Sequence, residues 1–259
     1  MNFHAFNRAI VRTPSRSVVD GLRAVDVGAP SYDGVLAEHG AYVRVLEALG
    51  MTVETLPALQ EFPDSVFVED TALVFTGAAI LLRPGAATRR GEAAEMAATL
   101  DRNFERVLRL EDGTAEGGDV LTTPRGVFIG ASARTSTIGA AALVSLLAQI
   151  GQQGFVVNTP PGVLHLKSDC SLLDDETILC TSRLAAAEPF PGFRLILTPE
   201  GEEGAANALG IWSAVLLSEG HPRTAELLAQ SGYNVKALKT AEIAKIDAGL
   251  SCMSLRWRA

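Results

Sequence analysis

The sequence predicts an α/β fold of strand–strand–helix–strand units closed into a ring, and two observations carry that reading. First, one order of elements recurs along the chain with starts near positions 70, 119, 169, 207 and 252, a period of about 40–50 residues that marks a repeat array or propeller. Second, the copy starting near 252 holds only a first strand. Its second strand, helix and third strand stand at the other end of the chain, in residues 7–56. The C-terminal strand therefore completes the N-terminal unit and the array closes on itself. A doubly wound dinucleotide-binding fold is the main competitor, but no G-x-G-x-x-G follows a strand and no P-loop occurs.

In chain order, residues 7–12 read as a short strand, and residues 13–30 are irregular, with Pro14, Gly21, Gly28 and Pro30 among polar residues. A segment this long without periodicity is more often a functional loop than a connector. Over residues 32–49 the positions Val35, Leu36, His39, Tyr42, Val43, Leu46 and Leu49 recur at helical spacing, and Gly50 supplies the stop. Residues 51–56 alternate as a strand. The second unit has strands at 66–75, 79–82 and 107–110 with a helix at 90–104. The third has strands at 119–121, 127–129 and 155–157 with a helix at 137–150. The fourth has strands at 170–172, 177–179 and 195–197, its helix eroded to a loop. The fifth has strands at 206–209, 215–217 and 235–238 with a helix at 222–230, and residues 251–255 begin the closing strand.

The bulk properties narrow the function. The chain has 259 residues, 47% hydrophobic and 20% charged, with a formal charge of −8, which suits a globular core. That charge argues against nucleic acid or an acidic membrane surface as partner, since no basic field is available to neutralise phosphates. Three widely spaced cysteines make neither a disulfide framework nor a zinc site and favour a reducing compartment. No signal peptide and no apolar run of about 20 residues is expected, so a cytoplasmic protein is the expectation.

First strands near the axis of a ring would bring their residues to one point. The stretch Phe62-Pro63-Asp64-Ser65-Val66-Phe67-Val68-Glu69-Asp70-Thr71-Ala72 sets acids around a strand, and alternation would aim Glu69 and Asp70 at opposite faces. Taken alone, Asp64 capping a turn explains as much. Acids in an apolar strand are costly to bury unless they meet a cation, and the next unit repeats the acidity as Glu116-Gly117-Gly118-Asp119. There the glycine pair allows a close backbone approach or a bulge. The third such place is Leu164-His165-Leu166-Lys167, and the last is Gly249-Leu250-Ser251-Cys252-Met253-Ser254. A cysteine, a histidine and a carboxylate make a nucleophile, a base and its orienter. Surplus carboxylates suit a cationic substrate. Arg89 and Arg134 precede the helices of successive units; read as exposed, they are surface charge or a carboxylate clamp. A cation at one end and a carboxylate at the other describe arginine or a relative.

At these residues the chain resembles the dimethylarginine dimethylaminohydrolases of the pentein, or guanidino-group-modifying, superfamily. The resemblance runs through Arg12-Thr13-Pro14-Ser15-Arg16-Ser17, the stretch from Phe62 to Asp70, Arg83-Pro84-Gly85, the glycine pair, the histidine motif, Ala205-Ala206-Asn207 and the cysteine motif. It implies a fivefold pseudosymmetric α/β propeller in which residues 1–259 form one catalytic domain. It implies Cys252 as nucleophile, His165 as general acid/base and Glu116 as the carboxylate that orients it. Glu69 and Asp70 would hold the guanidinium, with Asp64 assisting. Arg89 and Arg134 would take the α-carboxylate, and Leu22 and Ile246 would make backbone contacts. The implied reaction converts N-omega-methylated arginines to citrulline and dimethylamine or methylamine through a cysteine thiouronium. The partner would be that small molecule, with no cofactor, metal, nucleic acid or membrane, and with a homodimer left open. Arginine deiminases of the superfamily carry His-x-Asp where this chain has Lys167, which argues for a methylated nitrogen over plain arginine. An arginine deiminase-like enzyme or another small guanidino or ureido hydrolase is the alternative. A non-catalytic ribosome-binding propeller would lack the cysteine and the acid ring.

Overall fold

The computed structural model describes residues 4–259. In chain order the elements are β1 Arg8–Arg12, α1 Tyr32–Ala48, β2 Thr52–Leu56, β3 Ala72–Phe75, β4 Ala78–Leu81, α2 Glu92–Asn103 and β5 Arg106–Arg109. Next come β6 Val120–Thr123, β7 Gly126–Ala131, α3 Thr137–Gln149, β8 Gly154–Asn158, β9 Cys170–Leu172, β10 Thr177–Cys180, α4 Ser182–Ala185 and β11 Arg194–Leu197. The last are β12 Leu209–Ile211, β13 Ala214–Ser218, α5 Pro222–Gln230, β14 Asn234–Leu238 and β15 Leu255–Trp257.

These strands form five three-stranded sheets. In each, the middle strand pairs antiparallel with one neighbour through a hairpin and parallel with the other, as β4 does with β3 and β5. The parallel pair needs a crossover, and the helix supplies it. The first sheet is the exception in chain order. Its antiparallel partner is β15, with Arg8 opposite Trp257 and Ile10 opposite Leu255, so the two ends of the chain close one unit as the repeat predicts.

Local chemistry starts and stops the helices. Ser31 and Ser136 accept hydrogen bonds from Gly34 and Gly139 N–H at the heads of α1 and α3. Pro222 occupies the first turn of α5, where its missing N–H costs nothing. Acids in the first turn of α2 and Arg102 in its last complement the helix dipole. The apolar face of each long helix packs on sheet residues, and the core divides into five clusters. In one of these, Met96 and Leu100 of α2 meet Ile10, Leu255 and Trp257 from the neighbouring unit. Packing between successive units thus holds the ring.

Four sequence expectations need correction. Residues 66–75 are not one strand: Val68–Thr71 is a 3-10 turn, and only Ala72–Phe75 is extended. Cys252 likewise lies on a 3-10 turn, Ser251–Met253, ahead of β15 rather than on it. The fifth unit opens on another such turn, Glu203–Ala206, before β12. The fourth unit keeps one helical turn, α4, capped by Thr181. Alternating apolar and polar residues read as a strand, but a 3-10 turn presents side chains about every third residue, so it can send neighbours toward different cavities.

The strand that closes the ring should be costly to damage. Trp257 is buried and packs on Phe104 with 4.9 Å between ring centroids. Trp257→Ala is expected to cost about 3–5 kcal/mol, read as a lower urea midpoint at unchanged m-value. A loss under about 1 kcal/mol would mean that the closing strand contributes little.

Candidate active site

The first strands stand around the axis, with β15 beside β3, β6 beside β9 and β9 beside β12. Above them the 3-10 turns touch in sequence: Ser251–Met253 meets Val68–Thr71, which meets Gly117–Asp119, which meets Leu166–Ser168, which meets Glu203–Ala206. The reactive residues hang from these turns or lie at their edges. A pocket of about 40 Å³ gathers Leu22, Asp64, Asp70, Arg89, Glu116, Arg134, His165, Ile246 and Cys252, together with Phe67, Leu164, Asp247 and Ala248.

Glu69 is the sequence-derived site residue that does not line this pocket. Its carboxylate turns to the other side, onto Lys167 Nζ at 2.6 Å, Arg256 Nη2 at 3.1 Å and Ser251 Oγ at 2.9 Å. That side opens into a cavity of about 490 Å³ on which Glu69, Lys167, Ser251 and Arg256 all border. Asp70, its neighbour, accepts from Arg89 Nη1 and from Gly118 N–H at 2.8 Å. The two acids do diverge, and a turn rather than a strand separates them.

The glycine pair serves close approach. A Cβ at Gly117 would stand 2.0 Å from the Glu69 carbonyl oxygen, and one at Gly118 would stand 2.7 Å from the His165 ring. The turns bearing the acids and the histidine can therefore touch only if both residues lack a side chain. His165 Nε2 is 2.7 Å from Glu116 Oε2. The other Glu116 oxygen accepts from Ala86 N–H at 3.0 Å and lies 3.6 Å from Arg134 Nη1. Asp119 accepts from Leu166 N–H at 2.9 Å and so fastens the backbone beside the histidine.

Neither arginine is exposed as the sequence reading had it. Arg89 is buried among acids, with Nε 3.1 Å from both Glu92 oxygens, Nη2 2.7 Å from Glu92 Oε2, and Nη2 also donating to the Phe67 carbonyl at 2.9 Å. Arg134 is partly buried, its side chain 21% exposed, with Glu116 as its charged neighbour. Long polar side chains are solvated by default, and only the tertiary packing reveals an exception.

The electrostatics follow from dryness and charge crowding. Burial raises the Asp70 carboxyl, but Arg89, His165 and the Gly118 N–H outweigh it and bring it down to about 2. Glu92 shares the same guanidinium, and burial pushes it up to about 7. Burial would lower His165, yet Asp70, Glu116 and Asp119 together raise it, so its charged form is favoured. Burial, followed by the charges of Glu69 and Asp70, pushes the Cys252 thiol up to about 12. The histidines given no chemistry fit that reading where they are buried: His4 and His39 are both lowered to about 4 by burial.

Asp70, Glu116 and His165 bring donor atoms within 4.8 Å of one another, close enough in principle for a metal ion. Arg89 and Gly118 N–H already engage Asp70, and His165 engages Glu116, so the cluster is satisfied as it stands. Sequence reasoning missed Asp247 and Glu92. Asp247 sits at φ 54° directly after the turn Ile243–Ile246 and takes the Ala24 N–H, which ties the early irregular segment to the pocket rim. Aspartate tolerates that conformation better than most residues, a faint signal in a sequence. Asp64 ties the same segment from below through Leu22 N–H at 2.9 Å.

No family model matches the chain. It is 41% identical over 254 residues to the N(G),N(G)-dimethylarginine dimethylaminohydrolase of Pseudomonas aeruginosa, covering 97% of this chain and 100% of that protein. It is 36% identical over 258 residues to the enzyme of the same name from Streptomyces coelicolor, covering 97% of each. Among solved structures, a cysteine-to-serine mutant of the Pseudomonas aeruginosa protein complexed with citrulline matches with TM-score 0.94 and 40% identity, covering 97% of this chain and 99% of that one. The N-terminal domain of the cyanobacterial arginine dihydrolase ArgZ matches with TM-score 0.84 at 19% identity, covering 96% of each, a likeness of fold.

Two measurements test these electrostatics. With a thiol near 12, iodoacetamide at pH 8 should alkylate Cys252 on the order of a thousandfold more slowly than free cysteine; labelling at the free rate would contradict the burial argument. For Glu92, the folded value near 7 lies above the ordinary glutamate value of 4.5, so the folded chain holds an extra proton between those limits. Stability should then fall as pH rises from about 4.5 to 7. Glu92→Gln should flatten that part of the urea-midpoint profile, and an unaltered slope would place the proton elsewhere.

Proposed function

Because the chain belongs to the dimethylarginine dimethylaminohydrolase family, we propose that the pocket binds an N-omega-methylated arginine and hydrolyses it to citrulline and the methylated amine. The observation that carries this reading is one pocket uniting Cys252, the His165–Glu116 pair, the ionised Asp70 and Arg134. The protein is a hydrolase acting on C–N bonds, and its ligand is a small molecule. The ring from β1 to β15 works as one catalytic domain, since the last strand completes the first unit. No helix among the described residues is long and apolar enough to cross a membrane, and the free thiols Cys170, Cys180 and Cys252 suit a reducing, cytoplasmic setting.

Asp70, held ionised by Arg89, supplies the anion for the substrate's guanidinium. Asp64 lines the same wall, and its bond to Leu22 N–H holds the early segment where the Leu22 carbonyl and the backbone at Ile246 meet the amino-acid end. Arg134 faces the α-carboxylate. Arg89 joins it with the one N–H of Nη1 not engaged by Asp70. Glu69, bound to Lys167 and Arg256, acts on the guanidinium through its negative charge and through its bond to Ser251, beside the nucleophile.

The resting thiol is neutral because the protein around it desolvates it and its neighbours are anionic. A bound guanidinium adds the missing cation and lowers the cost of the thiolate. The thiolate attacks the guanidinium carbon. His165, whose charged form its carboxylates favour, gives a proton to the departing methylated amine, which otherwise leaves poorly. Water attacks the thiouronium carbon on Cys252 as His165 takes a proton back, the C–S bond then breaks with the Cys252 thiolate as leaving group, and citrulline departs. Lys167 does not line this pocket, because its ammonium lies against Glu69. A carboxylate at that position, as in arginine deiminases, is therefore absent from the pocket, which favours a methylated nitrogen.

Incubation with asymmetric dimethylarginine, monomethylarginine and arginine separately, scoring citrulline and released amine, tests the assignment. Methylated substrates should be consumed, and Cys252→Ser should abolish turnover while binding substrate within about tenfold of the parent. Consumption of arginine alone would favour the deiminase reading, and an active Cys252→Ser variant would refute the covalent route.

A further inference from the structure

Asn207 belongs to a motif that the proposed chemistry leaves without a task, and the structure places its amide at the junction of three turns. Its Nδ2 donates to the Lys167 carbonyl at 2.9 Å, two residues beyond His165. The same nitrogen donates to Ser251 Oγ at 3.1 Å, and its Oδ1 accepts from Ser251 N–H at 3.1 Å, one residue before Cys252. The amide thus makes three of the four bonds open to it. One joins it to the histidine turn and two to the cysteine turn, while its own backbone ends the turn Glu203–Ala206.

The surroundings are built to keep it there. A Cβ at Gly249 would lie 2.4 Å from Asn207 Oδ1, so the cysteine loop can rest on the amide only as glycine. Ser251 Oγ passes its own hydrogen to Glu69 Oε2 at 2.9 Å. Lys167 is held twice, by its carbonyl on Asn207 and by its ammonium on Glu69. Asn207 makes no contact with the pocket itself, since it is not among the residues lining it.

We infer that Asn207 is a positioning residue for the hydrolysis, setting the separation of Cys252 and His165 by clamping their two turns from the side away from the substrate. The inference rests on the proposed activity. An amide suits the task because a donor and an acceptor on one rigid plane can hold a backbone N–H and a backbone carbonyl from two different segments at once. Displacement of about 1 Å between reacting groups costs on the order of a hundredfold in rate, whereas the substrate's own contacts, to Asp70 and Arg134, lie elsewhere.

With dimethylarginine, Asn207→Ala should lower kcat by about a hundredfold with KM within about threefold. Ser251→Ala breaks the shared Oγ bond, keeps Asn207's bonds to Ser251 N–H and the Lys167 carbonyl, and also frees Glu69 Oε2. The double variant should therefore fall below either single variant yet short of the product of their effects. Thr123→Ala, which removes a buried hydrogen bond in the β6–β7 hairpin, should leave kcat within about twofold. A kcat for Asn207→Ala within about threefold of the parent, a rise in KM alone, or fully multiplicative effects in the double variant would each overturn the inference. Should Asn207→Ala fail to fold, Asn207→Asp keeps the shape and the acceptor for Ser251 N–H but loses both donated bonds, and the same kcat loss is expected. Should the parent chain itself be inactive, the activity assignment fails, and substrate-free alkylation of Cys252 then decides on Asn207. A loosened turn admits water, so alkylation at pH 8 should be about tenfold faster in Asn207→Ala; an unchanged rate overturns the inference.

Discussion

Contact between short turns around one axis is the constraint on which the rest of the molecule depends. The sheets and helices bury apolar surface in five separate clusters, and the acids and the histidine of the pocket lie outside them, while Cys252 packs against one of them. The chemistry sits where successive 3-10 turns press against one another, and two of these contacts leave no room for a side chain at Gly117 or Gly118. Backbone approach of this kind fixes the positions of attached side chains more tightly than a flexible loop could. It also explains why the acids, the histidine and the cysteine come from distant parts of the sequence yet face one pocket.

Charge crowding then assigns the protonation states. Asp70 and Glu92 share the Arg89 guanidinium in a dry setting, and a single cation cannot stabilise both carboxylates equally. Asp70 takes additional bonding from Gly118 N–H and the field of His165, so it stays ionised, while Glu92 is pushed up to about 7. Burial, joined by the same surplus of negative charge, keeps the Cys252 thiol protonated, and that surplus favours the charged form of the His165 ring. In the proposed reaction the activation of this thiol is thereby coupled to a bound guanidinium rather than being permanent.

The axis has two sides with different work. On one lies the small pocket; on the other, Glu69, Lys167 and Arg256 form an ion cluster that borders the larger cavity. Ser251 joins the two, because its hydroxyl bonds Glu69 while the next residue, Cys252, lines the small pocket. Buried ion pairs add little net stability over apolar packing, so this cluster is better understood as holding the cysteine and histidine turns in register.

Much of this was legible in the chain alone. Helix spans such as Pro222–Gln230 follow directly from period and the proline of the first turn, and the circular closure follows from a repeat whose last copy is incomplete. The residues that share the pocket were legible because acids, a histidine and a cysteine stand at matching places in successive units. Tertiary structure alone decided the finer geometry. It alone set Cys252 and Glu69 on turns, hid Arg89 among acids, turned Glu69 from the pocket and gave Asn207 its three partners. The reason is physical: periodicity in a sequence reports the burial of apolar faces, which is local and averaged over many residues. The direction of one polar side chain depends on single contacts between segments far apart in the chain, and those come into being only when the ring closes.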